Sequence, residues 1–72
     1  MSVAKVVELT GQSPESWEAA TRLVLEEAAK TIRNIQSIYI REFKAEVHDN
    51  KITAYHVDTK VTFLVDDQRT RD

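Results

Sequence analysis

Ser13-Pro14-Glu15-Ser16-Trp17-Glu18-Ala19-Ala20-Thr21-Arg22-Leu23-Val24-Leu25-Glu26-Glu27-Ala28-Ala29-Lys30-Thr31-Ile32-Arg33-Asn34 is the one long run in which apolar residues recur at helical spacing. Trp17, Ala20, Val24, Ala28, Ile32 and Ile35 follow at steps of three and four, so at about 100° per residue they form one stripe. Glu18, Arg22, Glu26, Lys30 and Arg33 fall opposite, which makes the helix amphipathic with a single buried face. Ser13 is placed to cap this helix and Pro14 to open it, because proline at the first helical position needs no N–H. Lys30 and Arg33 suit the negative end of the dipole, and Asn34 is a natural stop. Trp17 in the first turn lies on the stripe. Its ring either anchors the helix on its neighbours or stacks on a ligand, and the anchor is the commoner use. Leu23 and Ala19 lie off the stripe; an exposed leucine is ordinary, and in an assembling chain it serves equally as an intersubunit contact.

The segments on either side read as strand. From Val3 to Thr10, valine-rich alternation predicts a first strand with Val7 and Leu9 facing the helix. Thr10-Gly11-Gln12 then reads as a turn, with the sole glycine supplying an unusual backbone angle. From Ile35 to Asp49 the apolar face changes parity: Ile38 and Ile40 are even, Phe43, Ala45 and Val47 odd. One extra residue near Arg41-Glu42, a β-bulge, produces that switch. Asp49-Asn50 is the centre of a tight hairpin turn, since both residues tolerate left-handed backbone. A third strand carries Tyr55, Val57, Val61, Phe63 and Val65 on one face and Ile52, Ala54, His56, Asp58, Lys60, Thr62 and Leu64 on the other. The hairpin brings His48 to Lys51 and His56 to Phe43. The expected class is α+β in the order β-α-β-β, with one face of the sheet left uncovered by the single helix.

Composition narrows the function. Seventy-two residues with no cysteine, one glycine and one proline make one domain without disulfides or thiolate metal sites. A chain of this length buries only roughly 60% of its unfolded surface, so self-assembly is the leading source of further stability. The net charge of −2 is spread in both signs, which excludes a basic nucleic-acid footprint. No apolar run is long enough for a membrane span or an export signal, so the expected location is the cytoplasm. A single glycine permits no phosphate-cradling loop. Ser37, His56 and Asp58 supply the residue types of a hydrolytic triad, but a strand sets neighbours on one face without aiming them at each other. His48 and His56 are not a metal pair within one chain, although symmetry could bring copies of them together. Glu42, Glu46, Asp49, Asp58, Asp66 and Asp67 read as a solvated face unless several copies meet on one axis.

Lys5-Val6-Val7-Glu8-Leu9-Thr10-Gly11, Ser13-Pro14-Glu15-Ser16-Trp17-Glu18-Ala19-Ala20 and Tyr55-His56-Val57-Asp58-Thr59-Lys60-Val61-Thr62-Phe63, read with the β-α-β-β order, resemble the dodecin family. The resemblance covers residues 1–67 and leaves 68–72 as a polar tail. It implies a three-stranded antiparallel sheet curled round one helix, closed into a hollow homododecamer that stores flavins such as FMN or riboflavin without turning them over. Flavin-binding members carry a stacking tryptophan where this chain has Ser37, and a ring-bonding glutamine where it has His56. These two residues are therefore the implied cofactor-binding positions, altered in chemistry. A second branch of the family lacks that tryptophan, has one early in the helix as Trp17 is here, and is associated with calcium. That likeness implies calcium, or a purely structural shell, without assigning metal ligands.

Overall fold

The computed structural model describes residues 3–65. The proposed tail and the carboxylates of Asp66 and Asp67 lie outside the described residues. Strand β1 spans Ala4–Ser13, helix α1 Trp17–Thr31, strand β2 Ile35–His48 and strand β3 Lys51–Leu64. The sheet order is β1-β3-β2 with both pairings antiparallel, so β3 is central and α1 packs across one face.

The first boundary differs from the sequence reading. Gly11, Gln12 and Ser13 pair with Val57, His56 and Tyr55, which extends β1 through the stretch expected to turn. Gly11 has no positive φ. Its role is close approach: a Cβ there would meet Val24 Cγ2 at 2.6 Å and the Ala20 carbonyl oxygen at 2.8 Å. Because the strand runs longer, Ser13 is its last residue, and its hydroxyl accepts a hydrogen bond from the Glu15 amide at 3.0 Å. The helix cap passes to Ser16, whose hydroxyl accepts from the Ala19 amide at 2.9 Å. Trp17, not Pro14, is the first helical residue. At the other end the helix stops at Thr31. Ile32 turns extended, and Asn34 takes a left-handed φ of 62° before β2 begins.

Three buried helix residues, Ala20, Val24 and Ala28, carry the stripe. Ala20 and Val24 pack on Val57 and Val61 of β3, with Val7, Leu9, Ile35, Ile38 and Ile40 around them. Trp17 anchors the N-terminal end of the helix: its ring meets Tyr55 edge-on at 4.9 Å and Phe43 at 5.9 Å, and Nε1 donates to the Lys44 carbonyl at 3.0 Å. Thr59 sits among the buried valines, and its Oγ1 donates to the Leu9 carbonyl at 2.8 Å, which is how a hydroxyl is tolerated there. Replacing Thr59 by valine keeps the shape and removes that donor. We expect a loss of about 1 kcal/mol, read in thermal unfolding as a fall of roughly 4–8 °C; an unchanged melting temperature would mean the hydroxyl contributes nothing.

The pairing of β2 with β3 is irregular at three points. Gln36 and Arg41 are extra residues on β2, and Thr53 is an extra residue on β3. The bulge at Arg41 is the one signalled by the parity change. The bulge at Thr53, whose Oγ1 donates to the Glu46 carbonyl at 3.4 Å, shifts the register by one, so His56 faces Lys44 and not Phe43. His48 does face Lys51. Asp49 and Asn50 have φ of 52° and 63°, the paired left-handed residues of a tight hairpin.

The core is small. Its buried apolar residues are three alanines and three valines, whereas nine large hydrophobic side chains are exposed among the described residues. The radius of gyration is 15.2 Å, well above the roughly 11 Å of a compact domain of this length. The excess comes from the distal β2–β3 hairpin, which runs beyond the last β1 pair at Ser13–Tyr55.

Candidate functional site

Register divides the sheet into two faces. Val57, Thr59 and Val61 of β3 point to the helix. His56, Asp58, Lys60 and Thr62 therefore point away from it, joined by Glu8, Thr10 and Gln12 of β1 and by Ser37, Tyr39, Glu42, Lys44 and Glu46 of β2. Both residues singled out by the family resemblance, Ser37 and His56, share this uncovered face. They do not meet in one chain: Ser37 pairs with Thr62, six positions along β3 from His56, or roughly 20 Å at about 3.3 Å per residue. Ser37 is exposed, while the side chain of His56 retains 19% of its accessible surface.

His56 lies in a depression of about 110 Å³ formed with Thr10, Glu42, Lys44, Val57 and Asp58. Its Nε2 is buried and has no hydrogen-bond partner among the described residues. Glu46 Oε2 is the nearest acid, at 3.9 Å, beyond hydrogen-bond reach. A buried polar nitrogen left unmatched costs on the order of 1–3 kcal/mol, and because Nε2 is shielded from solvent a ligand or water edge would pair with it only once the imidazole turns toward the depression.

Arg41 was legible as a bulge but not as an electrostatic clamp. The extra residue swings its guanidinium over β3, where Nη1 contacts Glu8 Oε2 at 2.7 Å on one edge strand and Asp58 Oδ2 at 2.9 Å on the centre. The Glu8 hydrogen bond, then the charges of Glu8 and Asp58, raise the Arg41 pKa further above the usual guanidinium value. This clamp spans all three strands. It also engages Asp58, which the sequence offered beside His56 as a carboxylate. No group of three or more histidine and acidic side chains gathers to hold a metal ion among the described residues, and none of their helices is long and apolar enough to cross a membrane.

The family model described as dodecin matches residues 3–66. The chain belongs to the dodecin family. It is similar to the dodecin of Thermus thermophilus, with 32% identity over 65 residues that cover 90% of this chain and 94% of the relative. An arginine-to-alanine variant of the T. thermophilus dodecin has the same fold, with a TM-score of 0.88 at 31% identity over 93% of this chain and 100% of that one. The calcium dodecin of Mycobacterium tuberculosis, described as calcium chelating with a novel calcium-binding site, matches with a TM-score of 0.76 at 27% identity over 97% of each chain. The β-α-β-β order, three antiparallel strands and single helix are thus those of dodecins.

Proposed function

We propose that this chain is a non-enzymatic, cytoplasmic dodecin that closes into a homododecamer and sequesters a flat cofactor, FMN or riboflavin, in pockets completed between copies. The observation that carries the reading is the unmatched Nε2 of His56, set in a depression on the uncovered face at the position where the family resemblance expects a ring-bonding group. Ser37 lies on the same face but too far away to serve the same pocket from one chain. Two copies must therefore contribute if both line one site. That requirement agrees with the nine exposed large hydrophobics and the six small buried ones.

Serine has no π-face, so the pocket binds more weakly than one with tryptophan at that position. Ser37→Trp is expected to tighten flavin binding by roughly tenfold or more, given that base–aromatic stacking is worth on the order of 1–3 kcal/mol. Quenching of flavin fluorescence on titration measures it, and equal affinity in the two proteins would remove Ser37 from the pocket. The likeness to calcium dodecin supports a second reading, a shell that holds calcium or is purely structural. The purified protein discriminates between them: a yellow preparation that quenches added flavin supports the first. A colourless protein whose melting temperature rises with calcium and falls with a chelator supports the second.

A further inference from the structure

Of the five aromatic residues, Trp17, Phe43 and Tyr55 join one cluster under the helix, and Phe63 shares the face of Val57 and Val61. Tyr39 alone lies on the uncovered face, and it is 64% exposed. It sits two residues after Ser37 on the same side of β2, about 6.6 Å along the strand. Between the bulges at Gln36 and Arg41, the segment from Ser37 to Ile40 pairs regularly, so the strand holds the two side chains parallel. Ser37 and its partner Thr62 are small, which leaves the Tyr39 ring open on that flank.

The charge beside this ring is equally specific. Lys60 is the cross-strand partner of Tyr39 and in turn of Glu8. Glu8 and Asp58 are the carboxylates placed to neutralise it, one across the strand and one two residues away. Both are taken by Arg41, at 2.7 Å and 2.9 Å. Lys60 makes no salt bridge among the described residues. The bulge that delivers Arg41 therefore leaves the Lys60 ammonium without a direct salt-bridge partner among the described residues, next to an open aromatic ring.

We propose that Tyr39 and Lys60 form a binding subsite for a flat heteroaromatic anion, the ring stacking on Tyr39 and the anionic substituent held by Lys60. This deepens the flavin reading above and rests on it: the stacking surface absent at Ser37 is supplied one pleat further along, and FMN is preferred to riboflavin because of its phosphate.

The test is fluorescence titration of the full chain with FMN and with riboflavin, at low and high salt, beside light scattering of each variant. Tyr39→Ala should weaken both flavins roughly tenfold, while Tyr39→Phe, which keeps the π-face, should bind like the parent. Lys60→Ala should lower FMN affinity severalfold and leave riboflavin unchanged, and added salt should do the same to the parent. If the parent binds flavin and Tyr39→Ala binds it equally well, the subsite is overturned while the flavin reading stands. A parent that binds neither flavin overturns both. A Tyr39→Ala variant that changes the assembled mass would overturn the subsite by showing that Tyr39 is an interface residue.

Discussion

Gly11→Val should lower the melting temperature more than any other single change in the body of the fold, with Gly11→Ala following in the same direction. Even the alanine Cβ would lie 2.6 Å from Val24 Cγ2 and 2.8 Å from the Ala20 carbonyl oxygen. Val24 is β-branched and has one strongly preferred rotamer in a helix, so its methyl has little room to turn away. The Ala20 oxygen is backbone and can retreat only if the helix lifts off β1. Overpacking of this kind costs typically 1–3 kcal/mol. The entropy regained by removing a strand-interior glycine offsets roughly 0.5–1 kcal/mol of it. A net loss of about 1–2 kcal/mol is expected for alanine and about 3 for valine, or roughly 4–8 °C per kcal/mol in a domain of this size. The pair Gly11→Ala and Val24→Ala gives a sharper check by relieving the nearer clash and leaving the Ala20 contact. Their combined loss should be smaller than the sum of the two singles. Strict additivity would locate the whole penalty at the backbone, and a parent-like melting temperature for Gly11→Ala would mean that the helix stands further from the strand.

The same glycine shows where reading the sequence stops. A residue without a Cβ serves a turn and a close approach equally well, and only the distance to Ala20 and Val24 decides between them. The expected cap, Ser13, gives way to Ser16 because pairing with β3 carries β1 through Ser13, a tertiary effect with no local signal. By contrast, the stripe of Ala20, Val24 and Ala28, the Trp17 anchor, the left-handed Asp49-Asn50 turn and the bulge at Arg41 were all written locally, in periodicity, parity or residue type. The bulge at Thr53 left a trace, the even Ile52 ahead of the odd Tyr55 and Val57, but plain alternation assigned Ile52 to the polar face with His56; pairing with Val47 returns it to the face of Ala45 and Tyr55. That one shift also moved His56 from Phe43 to Lys44. Ser37 and His56 came from family likeness, and their shared face from alternation. Their separation along β3 required the register, and the lack of a direct salt bridge at Lys60 required the reach of the Arg41 side chain.

Replacing Val47 by glutamate and Ile52 by lysine together is expected to abolish assembly. These residues face each other on the distal hairpin, at 58% and 51% exposure, and Phe43 on the same strand is 60% exposed. Beyond Tyr55 no third strand among the described residues supports the arm, and a two-stranded ribbon is marginal in water by itself. The arm nevertheless holds a tight turn and an apolar cross-strand pair, an arrangement that gains stability only when another surface covers it. In the proposed shell of identical copies a neighbour would cover each arm, so two charges would be introduced at every equivalent contact. Covering this Glu–Lys pair with an apolar neighbour strips both charges of water, which costs several kcal/mol per ion that their mutual attraction does not fully repay, and the repetition turns weakening into disassembly. The opposite signs were chosen to keep the hairpin itself paired across its strands. Val47→Leu with Ile52→Leu, which preserves apolar contact, should assemble like the parent. Light scattering separates the outcomes: the charged pair should run as single chains with a concentration-dependent loss of folded signal, as expected when folding is linked to association. Retention of the parent mass by the charged variant would place the intersubunit contacts elsewhere, on the flank of Leu23 and Leu25 that is also exposed. A parent that is itself a stable single chain would show that this small core of alanines and valines suffices alone, and would take the shared pocket with it.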